Sequence, residues 1–232
     1  MILEIVERHS SDEEKLIRIS LEFSKGLAFL RKYKKAVTFF GSAVLPQSHR
    51  ACREAYKLAY WAAKRGYVVI TGGGGSVMEA ANRGARDAGG ISIGILIRLP
   101  EFGRRELRNK YLTEWLSFKY FFVRKFMLSA GGEIYFFFPG GFGTMDELYE
   151  MATLVQTEKI PKIPIILVDD KDRGFWFKLL QCVEEIMVRE YQTLRKKDLT
   201  ILHRVVRARG AIAYVNELIA KRKLNPPHPA SI

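Results

Sequence analysis

Short runs rich in β-branched and aromatic residues alternate with helix-length segments along this chain, and that alternation most constrains its fold. The runs are Ala36 to Phe40, Tyr67 to Thr71, Ile91 to Ile97, Ile134 to Phe138 and Ile163 to Val168, each bounded by Gly, Pro or charge. Helical segments are expected between and after them at about 49–65, 76–88, 119–130, 144–158 and 174–190. Strands alternating with helices imply parallel crossovers, with helices on both faces of one sheet. Runs such as IYFFF and IPIILV are apolar at successive positions, as a strand covered on both faces can be. The expected class is therefore α/β, Rossmann-like and doubly wound, with a mainly parallel sheet.

The two ends extend this core. Ser11 followed by Glu14 has capping-box spacing, and Leu16, Ile19, Phe23, Leu27 and Leu30 fall on one stripe, predicting a helix over 12–31. After Leu199 a short strand and a last helix near Ala211 to Lys223 are expected before a Pro-rich end. The 232 residues fit one α/β nucleotide-binding domain. It divides into an N-terminal helix (about 12–31), a motif core (35–170) and a C-terminal helical extension (about 174–223).

Composition removes several classes. At 48% hydrophobic residues the chain is not a disordered solvating protein, and two Cys (Cys52 and Cys182) cannot staple a disulfide framework. The start MILEIVERHSSDEEK lacks a signal-peptide pattern, and no apolar stretch is long enough to span a bilayer, so a soluble cytoplasmic protein with no membrane partner is expected. The formal net charge of +13 points to an anionic ligand. Its basic pairs are scattered along the chain and no aromatic RNA-binding signature accompanies them, so nucleic acid is not the expected partner.

Ligands of open α/β sheets bind beyond the carboxyl ends of the strands, so the chemistry is expected there. Gly41 and Ser42 follow the first run, where Gly admits close backbone approach and Ser offers a hydroxyl. Four successive glycines, Gly72 to Gly75, follow the second and lead to Ser76, Val77 and Met78. Their N–H groups can converge on an anion at a helix N-terminus. The loop is neither G-x-x-x-x-G-K-[ST] nor G-x-G-x-x-G, which excludes a P-loop and gives no sign of a nicotinamide cofactor. At the third strand end Pro139-Gly140-Gly141-Phe142-Gly143-Thr144 precedes Glu147. Thr144 is expected to cap the helix, and Glu147 three residues later either completes a capping box or acts as a carboxylate beside an anion site.

PGGFGTMDE matches P-G-G-x-G-T-x-x-E, and the chain thereby resembles the Lonely Guy family of cytokinin-activating phosphoribohydrolases, often labelled lysine decarboxylases. The pair Arg124-Lys125, fifteen residues before Pro139, is similar to the family's Arg-Lys pair, and TGGGGSVMEAANRGARDAGG resembles the Gly-rich segment of its longer bacterial members. Gly75-Ser76 stands where relatives usually have Pro-Gly. The resemblance implies Arg124 and Glu147 as catalytic residues. It also implies substrate contacts from Gly41, Ser42, Gly73, Gly74, Met78, Lys125, Gly140, Gly141, Gly143 and Thr144. A homodimer is implied too, with the aromatic segment from Trp115 to Phe126 as a possible contact.

The expected reaction is hydrolysis of a nucleoside 5′-monophosphate, of AMP or cytokinin-nucleotide type, to free base and ribose 5-phosphate. Glu147 would stabilise an oxocarbenium-like ribosyl cation or activate water, and Arg124, always protonated, would position or polarise. Water is the nucleophile, so neither metal nor organic cofactor is called for. Contacts to the base are expected from Glu101 to Trp115. The rival reading is a non-catalytic carrier of a phosphorylated ligand, like the molybdenum-cofactor carriers. A pyridoxal-phosphate decarboxylase would need a Schiff-base lysine that the motifs do not supply.

Overall fold

A computed structural model describes residues 11–98, 108–221 and 224. The elements in chain order are α1 (Asp12–Leu30), β1 (Ala36–Phe40), α2 (Arg50–Lys64), β2 (Val68–Thr71), α3 (Val77–Asp87) and β3 (Ser92–Ile97). They continue with β4 (Glu114–Phe118), α4 (Phe121–Ala130), β5 (Ile134–Phe137), α5 (Phe142–Gln156) and β6 (Ile165–Asp169). Last come α6 (Phe175–Val183) with a π-helical continuation over Glu184–Glu190, a 3₁₀ segment (Lys196–Ile201), β7 (Leu202–Val206) and α7 (Arg207–Ala220).

The seven strands of the described residues are all parallel, in the order β4-β3-β2-β1-β5-β6-β7. Strand order reverses between β1 and β5, the switch point where such sheets leave a crevice. Side-chain alternation divides the core cleanly. Val37, Phe39, Phe136, Phe138, Ile166 and Val168 point to one face, where the Ala-rich α2 and α3 pack together with α7. Ala36, Phe40, Tyr135, Phe137, Ile165 and Leu167 point to the other, under α1, α4, α5 and α6. Both faces are covered, which is why these strands read as continuous apolar runs.

Several boundaries differ from expectation for physical reasons. Glu114–Phe118 is an edge strand with mostly half-buried or exposed positions, so its hydrophobic pattern is weak and it is absent from the expected strands. Helix α5 begins at Phe142, with Gly141 as N-cap, rather than at Thr144. Thr144 is thus inside the first turn and buried, and caps nothing. At the amino end Ser11 Oγ accepts from Glu14 N–H at 3.2 Å, half of the expected capping box, while the Glu14 carboxylate pairs with Arg18 instead. The expected last helix begins at Arg207, four residues earlier than read, and Arg222 and Lys223 lie outside the described residues.

Candidate active site

Three strand ends meet at the switch point, and Ser42 joins them. Its N–H donates to Pro139 O at 3.0 Å, and its carbonyl accepts from Val77 N–H at 3.2 Å, linking the β1 end to both glycine loops. The Ser42 hydroxyl accepts from Val44 N–H (3.0 Å) and Leu45 N–H (3.1 Å), so its oxygen is engaged in shaping its own loop. Gly41 is required by close packing, since a Cβ there would lie 2.6 Å from Val77 Cγ1. The first strand end is thus the scaffold of the site.

The loop after β2 is held by a buried polar network. Thr71 Oγ1 donates to Asn82 Oδ1 at 2.7 Å and accepts from Gly73 N–H at 2.9 Å. Asn109 Nδ2 lies 3.1 Å from Gly73 O, 2.9 Å from Gly74 O and 2.9 Å from Asn82 Oδ1, and Asn82 Nδ2 donates to Ser92 Oγ. Gly73 adopts φ +77, and a Cβ there would press on Leu96. Sequence reasoning missed Thr71, Asn82, Ser92 and Asn109. The available signal was Asn82, a poor helix former amid the alanines of VMEAANRGA, whose amide needs buried partners to justify its place.

Ser76 departs from ordinary backbone geometry, with φ 58 and ψ −121 in a region that favours glycine. Replacing Ser76 by Gly should therefore stabilise the fold by about 1 kcal/mol through relief of this strain. Thermal unfolding of the variant measures it, and an unchanged or lower melting temperature would show the loop to be unstrained.

Helices α4 and α5 bring the charged groups together. Arg124 donates through Nε to Ile95 O at 3.0 Å, and a terminal nitrogen lies 3.5 Å from Gly72 O. A Cβ on Gly72 would run into that guanidinium, so the glycine makes room for it; the same Cβ would come within 3.0 Å of Met78 Sδ. Lys125 turns the other way, pairing with Asp146 Oδ2 (2.7 Å) and Glu150 Oε2 (2.8 Å) and tying α4 to α5. Burial alone would lower the Lys125 pKa, but those two carboxylates hold it above its ordinary value.

Glu147 is the sixth residue of α5, only 4% exposed, with Oε2 buried and lacking a hydrogen-bond partner among the described residues. It does not cap its helix. Burial raises its pKa to about 7; Glu150 and Asp146 push the same way, while Lys125 and Arg124 oppose them. A buried carboxylate poised near neutrality is what proton transfer or cation stabilisation requires.

The start of α5 completes the site. Thr144 and Met145 N–H return to Gly141 O at 3.0 and 3.1 Å. The preceding Gly141, Phe142 and Gly143 are exposed, and helix geometry gives the N–H groups of Phe142 and Gly143 no intrahelical acceptor. An anion can sit there, favoured by the helix dipole. Gly140 must be glycine because a Cβ would collide with Thr144 Oγ1. Among the described residues no group of three or more His, Cys, Asp or Glu converges as a metal site. Of the segment expected to contact the base, 101–107 lies outside the described residues. Asn109 serves the glycine network, and the Arg108 guanidinium stacks 3.6 Å from the centre of the Trp115 ring.

The sequence model of a family described as possible lysine decarboxylase matches residues 78–215. A cytokinin riboside 5′-monophosphate phosphoribohydrolase of Mycobacterium tuberculosis is 32% identical over 108 residues, 46% of this chain and 56% of that protein. An uncharacterized protein of Archaeoglobus fulgidus is 30% identical over 96 residues, 41% of this chain and 60% of that one. The matches thus span little more than half the length of these curated relatives. A molybdenum cofactor binding protein of Rippkaea orientalis shares the fold at a TM-score of 0.57 and 19% identity, over 80% of this chain and 98% of its own.

Proposed function

The chain belongs to the Lonely Guy family, whose sequence model bears the description possible lysine decarboxylase, and on that premise we propose that it hydrolyses the N-glycosidic bond of a nucleoside 5′-monophosphate. The single observation that carries this reading is Glu147, a carboxylate only 4% exposed whose burial raises its pKa to about 7, in the second turn of a helix that begins at Phe142. In this reading Gly140, Gly141, Gly143 and Thr144, with Gly73 and Gly74, surround the 5′-phosphate; the N–H groups of Phe142 and Gly143 donate to it, while those of Gly73 and Thr144 stay on Thr71 Oγ1 and Gly141 O. Ionised Glu147 stabilises positive charge at the ribosyl carbon or takes a proton from water attacking it. Arg124 remains protonated and orients the departing base or the phosphate. Ser42 shapes the crevice, Met78 contributes an apolar contact, and Lys125 fixes α4 on α5 at the edge of the site.

Decarboxylase chemistry fits the residues poorly. A Schiff-base lysine needs a lowered pKa, whereas Lys125 is clamped by two carboxylates that raise it. A pure carrier would gain nothing from a buried carboxylate with one oxygen lacking a hydrogen-bond partner, which opposes both folding and anion binding.

The pH profile tests the role of Glu147. Because its ionised form is the active one here, kcat/KM should fall below an apparent pKa near 7. Arg124 lowers that pKa, so Arg124→Gln should move the acid limb to higher pH as well as reduce the rate. A profile flat from pH 5 to 8 would contradict the assignment.

We also propose a homodimer. Phe121, Phe122 and Phe126 on α4 and Trp115 on β4 remain exposed, an apolar surface suited to a second copy. Light scattering at micromolar concentration should give twice the chain mass, and a stable monomer would refute it.

A further inference from the structure

A cleft of about 430 Å³ opens between α2 and α7, on the opposite face of the sheet from the helices that carry Arg124 and Glu147. Arg50, Arg53 and Lys57 line it from α2; Arg207 and Arg209 line it from the first turn of α7, just past the carboxyl end of β7. Among the described residues one carboxylate, Glu54, accompanies these five cations in the lining. It is 6% exposed, accepting from Ala208 N–H at 2.9 Å and from Lys57 Nζ at 3.1 Å. Glu54 and Lys57 therefore neutralise each other while stapling α2 to α7, and four arginines are left in excess.

The fold gains little from those arginines. Arg50, Arg53 and Lys57 follow one helical stripe, where like charges at three- and four-residue spacing weaken a helix. Arg53 donates to Ser48 O, and Arg207 Nε to Asp170 O at 3.4 Å, which leaves most of each guanidinium's five donors for another acceptor. Arg207 also holds φ 62, a backbone cost that a solvated basic surface has no reason to retain. Concavity, charge excess and strain coincide in one place.

We propose that this cleft binds a compact polyanion, a small molecule bearing two or more phosphate groups, independently of the candidate active site. Guanidinium forks suit phosphate oxygens in bidentate geometry, and four in excess match a ligand of several negative charges. Among the described residues no aromatic side chain lines the cleft, so it offers none of the stacking surface that single-stranded nucleic acid uses.

Calorimetric titration of the full chain with inorganic tripolyphosphate is the test. Wild-type protein should bind it, and saturating AMP or the Arg124→Gln substitution should leave one binding event intact. The double substitution Arg53→Gln/Arg209→Gln should weaken that event at least tenfold without lowering the melting temperature, because both side chains are exposed. Arg53→Lys/Arg209→Lys, which keeps the charge but loses the guanidinium fork, should bind more weakly than wild type and more tightly than the Gln variant. Equal affinity in the Gln variant, binding by the Lys variant weaker than by the Gln variant, displacement of all tripolyphosphate by AMP, or tighter binding of a twelve-nucleotide single strand would each overturn the proposal. None of these outcomes depends on whether the protein hydrolyses nucleotides.

Discussion

Glu147→Gln should lower base release from a nucleoside monophosphate by about 10²-fold or more, while making the protein more stable at pH 8. The two effects share one cause. The carboxylate acts only when ionised, and removing a general acid or base typically costs 10² to 10⁴ in rate. Burial raises its folded pKa from 4.5 to about 7, so folding and ionisation oppose each other. The folded pKa lies above the unfolded one, so between about pH 4.5 and 7 the folded state holds more proton and stability declines as pH rises. Above pH 7 the full penalty applies, on the order of 3 kcal/mol, and below pH 4.5 it vanishes. Gln keeps the volume without the charge, so its melting temperature should exceed that of wild type at pH 8 and approach it at pH 5. Nucleotide affinity, set mainly by the helix start, should change little. A variant that is slower and also less stable at pH 8 would mean that the side chain was structural.

Removing the 5′-phosphate from the substrate should have a comparable effect. If the start of α5 and the loop after β2 hold that group, adenosine should be cleaved with a kcat/KM at least 10² below that of AMP. Two charge-assisted hydrogen bonds, each contributing about 1.5–3 kcal/mol, account for a loss of that size. Part of it should appear in kcat, because binding energy at a remote group also helps position the reacting centre. Steady-state rates on the two substrates measure it. Equal rates would remove both glycine loops from the site.

Much of this architecture could be read from the chain because the relevant signals are local. β1 matches its expected bounds residue for residue, and the core strands between helices were legible because each is a short apolar run closed by glycine or charge. β4 was not, since an edge strand with Glu114 half-buried and Trp115 exposed on the opposite face carries little periodicity. The start of α5 was misplaced by two residues because Thr144 looks like a cap, whereas the chain uses Gly141 and turns the threonine inward. That difference changes the chemistry read at Glu147. With a threonine cap it would have been a plausible capping partner; in the second turn of the helix it is a buried acid. The Asn82–Asn109 bond joins residues 27 apart in sequence, and no spacing rule reveals a side chain that supports a loop from so far away. Lys125 shows the same limit. Its neighbour Arg124 faces the glycines while it pairs with Asp146 and Glu150, and only the packing of α4 on α5 separates their roles.

Incubation of the wild-type chain with a panel of nucleoside 5′-monophosphates, scored by chromatography for free base and ribose 5-phosphate, separates a hydrolase from a carrier. Equimolar release of the two products is expected from at least one member of the panel, and release should be lost with Glu147→Gln. Binding of these nucleotides without release of base from any of them would contradict it and make the protein a carrier.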